Sequence, residues 1–194
     1  MANPAKFNRD TVVSLACDLF WKKGFHATST RDLQDAIDLR PGSIYAAFGN
    51  KQGLYTEALR HYANKMDDLL ESCLEQHDSV IEGLKTFTKS ALIDETEQQS
   101  CDQCMLIKAT SEFKHEYPEL KSLSESLLVE FETRLAQLFA QAIDAGELPK
   151  NGKAIDYARH FQIHFIGLRS YAARVTDKSL IDSLIEKMFD AVKA

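Results

Sequence analysis

The residues able to do chemistry fall in three places. Thr30, Arg31, Arg40, Ser43, Tyr45 and Lys51 supply hydroxyl and cationic donors among apolar residues at helical spacing. Such donors suit phosphate oxygens, and an arginine can fork to a guanine edge. Cys101 and Cys104 are spaced C-x-x-C at a loop-to-helix junction, where a helix N-terminus lowers a thiol pKa. The pair reads as a redox or electrophile-sensing site, as a metal site with His115, or as plain helix-start residues. It lacks the second pair that a structural zinc site needs. His160 and His164 lie four apart, a spacing that can chelate a metal. With no acidic partner at the spacing of a zinc protease, they read instead as lining a pocket or a subunit interface. No glycine-rich phosphate loop, nucleophile elbow or acid–base pair is found. Neither an enzyme nor a bound metal or cofactor is expected.

The first group must be positioned by Ser29 to Lys51, STRDLQDAIDLRPGSIYAAFGNK. Ser29 and Asp32 form a capping-box pair for one short helix, in which Leu33, Ala36 and Ile37 recur at helical spacing. Asp38 then stands where a tight turn wants a residue tolerant of positive φ, and Leu39 is a buried anchor. Pro41 suits the first position of a second helix, to which Ile44, Ala47 and Phe48 give an apolar face. Gly49 ends it and Asn50 can cap the next. The polar residues fall off the apolar face. Lys51 sits near a helix N-terminus, where the macrodipole disfavours a cation, and a nearby phosphate would resolve that conflict.

A helix, a tight turn and a second short helix form the unit that places a recognition helix in the DNA major groove. Residues 13–55 carry Ala16, Leu19-Phe20, Gly24-Phe25, Thr28-Ser29-Thr30-Arg31-Asp32-Leu33, Gly42-Ser43-Ile44-Tyr45, Phe48 and Gly49-Asn50-Lys51. In these elements and their spacing the stretch resembles the DNA-binding domain of TetR-family transcriptional repressors. The resemblance implies phosphate contacts from Thr30, Tyr45 and Lys51. It puts Arg31, Ser43 and Arg40 near base edges, with the Gly42-Ser43 backbone close by. Arg31 has an alternative partner in Asp35, one turn on. Two departures bear on readout. Ala46 and Ala47 stand where the family often has aromatic or histidine side chains, and Arg40 replaces a small hydroxyl residue.

Helical periodicity runs through almost the whole chain of 194 residues, and strand-like alternation is hard to find. The expectation is all-α, about nine helices, with a helix-turn-helix domain in residues 1–52 and a ligand-binding and dimerisation domain in residues 53–194. The net charge is −6, yet residues 1–52 hold seven Lys and Arg against five Asp, which puts +2 there and −8 on the remainder. A general nucleic-acid coat is excluded and a segregated basic head is not. Arg9 and Lys6 read as a basic arm or a solvated terminus. MANPAKFNRD is no secretory signal, and no apolar run is long enough for a membrane span. A cytoplasmic location with free thiols follows.

Val12, Val13, Leu15, Ala16, Leu19 and Phe20 form the buried stripe of a first helix, with Trp21 just off it. Residues from 51 to about 76 read as one long helix that connects head to body. The two closing helices, about 154–174 and 178–192, are apolar on more than one side. They are expected to pair with their copies through Ile155, Ile166, Ile181, Leu184, Ile185 and Met188. The family resemblance implies the same homodimer, a palindromic operator and a small effector bound among the body helices. Candidate lining residues are Tyr62, Met66, Phe87, Met105, Phe113, Leu127, Phe131, Phe161, His164 and Phe165. They suit an apolar or aromatic molecule whose binding releases the DNA. A thiol-based sensor acting through Cys101 and Cys104 is the alternative.

Overall fold

The structure, a computed structural model, describes residues 7–94, 103–113 and 116–193. Among these residues it is all-helical: α1 (Arg9–Lys23), α2 (Thr30–Ile37), α3 (Pro41–Phe48), α4 (Lys51–Leu74), α5 (Val80–Lys89), a π-turn (Ser90–Asp94), α6 (Met105–Glu112), α7 (Pro118–Asp144), α8 (Ala154–Ala172) and α9 (Lys178–Lys193). The all-α expectation holds. No helix among the described residues is long and apolar enough to cross a membrane.

Local chemistry sets the element ends. Asn8 caps α1 by accepting from the amides of Asp10 and Thr11. Gly24 ends that helix at φ 86°, in the left-handed half of backbone space, where a side chain would be strained. Gly53 matters for space: a Cβ there would run into the Phe48 carbonyl, so α4 can begin directly against the end of α3. Asn50 caps α4 by accepting from the Gly53 amide at 2.8 Å. Ser79 caps α5. The Glu147 carboxylate adds three bonds at that end, from the Ser79 hydroxyl at 2.5 Å and the Val80 and Ile81 amides at 3.0 Å each.

The chain divides into two compact units. The first takes residues 1–64 with 105–127, and the second takes 65–104 with 128–194. In the first, Phe20, Phe25, Tyr55 and Phe113 pack mainly edge to face, with Phe20–Tyr55 at 4.8 Å and Phe25–Phe113 at 5.2 Å. The second is built on Phe87, Phe139, Phe161, Phe165 and Phe189, with Leu84, Leu135, Leu138 and Ile185 around them.

Several details depart from the periodicity. Leu15 is 40 % exposed, whereas Trp21 is 3 % exposed. Trp21 packs edge-on against Tyr62, ring centroids 5.0 Å apart, so the buried face of α1 is rotated towards α4. Ala36 is exposed, and Leu39 is half-buried rather than a buried anchor.

Candidate nucleic-acid interface

The α2–turn–α3 unit is built as its local signals require. Ser29 and Asp32 complete a reciprocal capping box. Asp38 takes φ 55° and ψ 39°, the left-handed conformation that turns the chain out of α2. Arg40 stands at the N-cap of α3 without a side-chain capping bond, and Pro41 begins the helix. Leu33 and Ile44 are buried to 0 % and 1 % exposure, and they fix the pair on the first core.

The predicted DNA contacts distribute as follows. Arg31, Arg40, Gly42 and Ser43 are exposed, and Tyr45 and Lys51 are half-buried. Nothing lies within 4 Å of a Cβ built on Gly42, so the first turn of α3 offers its backbone to a close partner. Thr30 and Tyr45 share a hydroxyl–hydroxyl hydrogen bond of 2.9 Å. It joins the first residue of α2 to the middle of α3. Arg31 faces Asp35 at 3.9 Å with both side chains widely exposed, at 90 % and 71 %. An exposed pair of that length contributes little and is easily exchanged.

Lys51 departs from the sequence argument. Its ammonium lies 4.3 Å from the centre of the Phe25 ring. The ring offsets the dipole conflict that a phosphate was invoked to resolve. Burial holds this lysine below its ordinary pKa, against the opposing fields of Glu112 and Asp32. Arg9 is not a free arm. It donates to the Ala47 carbonyl at 3.1 Å, covers the Phe48 ring at 4.3 Å and pairs with Glu57 at 3.5 Å. A cation at the C-terminal end of α3 is favoured by the macrodipole. Lys6 lies outside the described residues.

Periodicity gave no sign of what holds the head in shape. Glu112 of α6 accepts from the amides of Phe25 at 3.1 Å and His26 at 2.8 Å. Lys108, one turn earlier, donates to the carbonyls of Trp21 at 3.0 Å and Lys22 at 3.2 Å. One helix thus satisfies both the last carbonyls of α1 and the amides of the loop leading to α2. Lys23 also donates to Asp32 at 2.5 Å. That bond, followed by those from the Ser29 amide and hydroxyl, holds the Asp32 carboxyl far below the usual carboxylate range. A lysine closing one helix and an acid opening the next is a signal the sequence does carry.

The residues expected to line an effector site divide between the units. Tyr62, Met105, Phe113 and Leu127 belong to the first. There Met105 meets the Cys17 thiol at 3.8 Å, and Phe113 packs on Tyr55 at 5.5 Å. Met66, Phe87, Phe131, Phe161, His164 and Phe165 belong to the second. Phe87 stacks on Phe165 at 5.4 Å and tilts towards Phe131 at 6.2 Å, and Phe161 stacks on Phe165 at 5.8 Å. Arg169, 2 % exposed, lies 5.8 Å from the Phe165 ring and donates to the Ala91 carbonyl of the π-turn at 3.0 Å. His164 stands apart from these rings on the exposed side of α8.

Of the residues expected between subunits, Ile181, Ile185 and Met188 are taken up by the chain's own core, at 2 %, 0 % and 4 % exposure. They leave little surface for a second copy. Ile155, Ile166 and Leu184 are half-buried. Among the described residues, Ile163 at 68 % and Leu180 at 38 % are the large apolar residues left exposed on α8 and α9. Cys101 and His115 lie outside the described residues, Cys104 is half-buried, and Cys17 and Cys73 are buried.

Residues 12–58 match the model of bacterial regulatory proteins, tetR family. The transcriptional repressor BdcR of Escherichia coli K12 is 32% identical over 105 residues, covering 54% of this chain and 53% of BdcR. The chain thus spans about half the length of that relative. The repressor ComR of the same organism is 26% identical over 147 residues, covering 75% of this chain and 70% of ComR. A cysteine-substituted TetR-family regulator CifR, solved with 26-bp double-strand operator DNA, superimposes with a TM-score of 0.78 at 26% identity, covering 97% of this chain and 99% of CifR. A TetR-family regulator from Cytophaga hutchinsonii shares the fold with a TM-score of 0.85 at 18% identity, covering 99% of this chain and 96% of that one. The helix-turn-helix geometry and these likenesses agree: residues 12–58 form a DNA-binding domain of the tetR family of bacterial regulatory proteins, and the chain as a whole is similar to TetR-family regulators.

Proposed function

We propose that this chain is a cytoplasmic transcriptional repressor rather than an enzyme. It binds a palindromic or near-palindromic DNA operator as a homodimer and is released by a small apolar or aromatic effector. The observation that carries the reading is the α2–α3 pair, turned by Asp38 and tied by the Thr30–Tyr45 hydrogen bond, with Arg31, Arg40 and Ser43 exposed at the helix starts. The relatives named as repressors, and the neighbour solved with operator DNA, support it. Thr30, Tyr45 and Lys51 hold phosphates. Arg31, Arg40 and Ser43 lie along base edges, with the Gly42 backbone close to the groove.

The homodimer uses α8 and α9. Ile163 and Leu180 carry the exposed apolar surface there, with Ile166 and Leu184 beside them. The effector binds in the second unit, among Phe87, Phe131, Phe161 and Phe165. It must favour the head spacing that DNA does not, because a ligand shifts a conformational equilibrium only by its differential affinity. Fluorescence anisotropy with DNA from the chain's own upstream region tests the reading. Saturable binding to a palindrome, with log affinity falling linearly in log salt at a slope of about 0.9 per phosphate contacted, is expected. Equal binding to scrambled duplex removes the specific-repressor reading, and a monomer in sedimentation at micromolar concentration removes the dimer.

A further inference from the structure

The exposed side of α8 carries a histidine pair that the proposed DNA reading does not use. His160 and His164 are one helical turn apart, with ring centroids separated by 4.0 Å and planes at 33°. Each ring has one nitrogen anchored on a main-chain carbonyl. His160 Nε2 lies 3.2 Å from the Met188 carbonyl, and His164 Nδ1 lies 2.8 Å from the His160 carbonyl. A carbonyl oxygen only accepts, so those two nitrogens carry the protons of the neutral rings. The lone pairs therefore fall on His160 Nδ1 and His164 Nε2.

An imidazole whose second nitrogen donates to a backbone carbonyl is how proteins fix the tautomer and orientation of a metal-binding histidine. Here both rings have that anchor. His164 is exposed and His160 half-buried, so an ion can approach without opening the core. Among the described residues no third histidine, cysteine or carboxylate gathers with them into a closed site. Asp156, the carboxylate one turn before His160, faces Arg159 at 4.0 Å. Two imidazoles with solvent in the remaining positions suit late first-row ions such as Cu2+, Ni2+ and Zn2+, and not Mg2+ or Ca2+, which want oxygen ligands.

We propose that His160 and His164 form a binding site for a divalent transition-metal ion on the exposed side of α8. The site rests on the geometry of that helix and not on DNA binding, which is measured separately on each variant.

The test uses the tag-free full-length chain, titrated with Ni2+ by calorimetry. The wild type is expected to bind saturably. His164→Ala removes one donor at an exposed position, and it should weaken binding by at least about tenfold. Its helical content and metal-free melting temperature should match the wild type, which separates a lost ligand from a lost fold. His77→Gln changes an exposed histidine bonded to Thr86 at 2.8 Å, and it should bind Ni2+ like the wild type. With Cu2+, electron paramagnetic resonance should show two coupled nitrogens in the wild type and one in His164→Ala. The proposal is overturned by an absence of Ni2+ uptake at millimolar concentration. An unchanged isotherm in His164→Ala, or loss of binding in Cys101→Ser/Cys104→Ser instead, also overturns it.

Discussion

Replacing Glu112 by alanine should loosen the head without touching any residue of the helix-turn-helix. The carboxylate accepts from two consecutive amides, Phe25 at 3.1 Å and His26 at 2.8 Å, 87 and 86 residues away in sequence. A hydrogen bond to a charged group contributes about 1.5–3 kcal/mol, and one carboxylate shared by two amides gives less than twice that. Taking about 3 kcal/mol for the pair, a chain of this size should lose about 6–12 °C in melting temperature. Glu112→Gln keeps one accepting oxygen but turns an NH2 towards the second amide, so it should fall between wild type and alanine. Differential scanning calorimetry gives the shift. Hydrogen exchange places it, because the Phe25 and His26 amides should lose protection before those of α9. A melting temperature and protection pattern equal to wild type would refute the view that α6 holds the α1–α2 loop.

Arg31→Ala should cost about 1–3 kcal/mol of discrimination between operator and mismatched duplex, or about 5- to 150-fold in relative affinity; competition anisotropy with single-base variants reads it. Tyr45→Phe removes the hydroxyl bonded to Thr30 at 2.9 Å. It should weaken binding about equally on every sequence and leave the salt slope unchanged, because the hydroxyl carries no charge. Asp32 has a depressed folded-state pKa, so its contribution to stability is full above the ordinary value of about 3.9 and is lost as pH falls below it. The gap in melting temperature between wild type and Asp32→Asn should therefore be constant near neutrality and close below about pH 4. Glu147→Ala removes the three bonds at the start of α5. On the same reckoning as for Glu112 it should lower stability by about 3 kcal/mol, or about 6–12 °C.

The α2–α3 unit was legible because its signals are local. A capping serine with its acid three residues on, an aspartate able to turn left-handed, a proline at the helix start and a glycine at the end each act within a few residues. Periodicity alone misplaces Trp21 and Leu15, because both lie at the margins of the α1 stripe. Which margin is covered depends on Tyr62, 41 residues along in α4. Periodicity gives Ile181, Ile185 and Met188 to a partner for a related reason. Two apolar sides on α9 show that both must be covered, and only the packing of Phe161 and Phe189 in the second unit says which side the chain covers itself. Glu112 left no local trace: nothing near it in sequence indicates which amides it will meet.

The free chain already engages most of the side chains proposed to hold DNA, and the relative cost of releasing them bears on what each can contribute. Thr30 and Tyr45 satisfy each other, and Lys51 rests on Phe25. A neutral hydrogen bond contributes about 0.5–1.5 kcal/mol net and an exposed cation–π contact about 0.5–1. A phosphate that takes over these donors gains only the difference. What the internal contacts supply is geometry: the hydroxyl pair holds α2 against α3, and the ring sets the direction of the Lys51 side chain. Arg31 is different. Its exposed pair with Asp35 is worth about 0.3–0.5 kcal/mol, against about 1–3 for a bidentate guanine. If Arg31 meets a guanine as proposed, exchange would be favourable by a margin large enough to discriminate between bases. Because Ala46 and Ala47 cannot hydrogen-bond a base, that margin, with whatever Arg40 and Ser43 add, would be most of the hydrogen-bonding readout from the side chains proposed to face the bases.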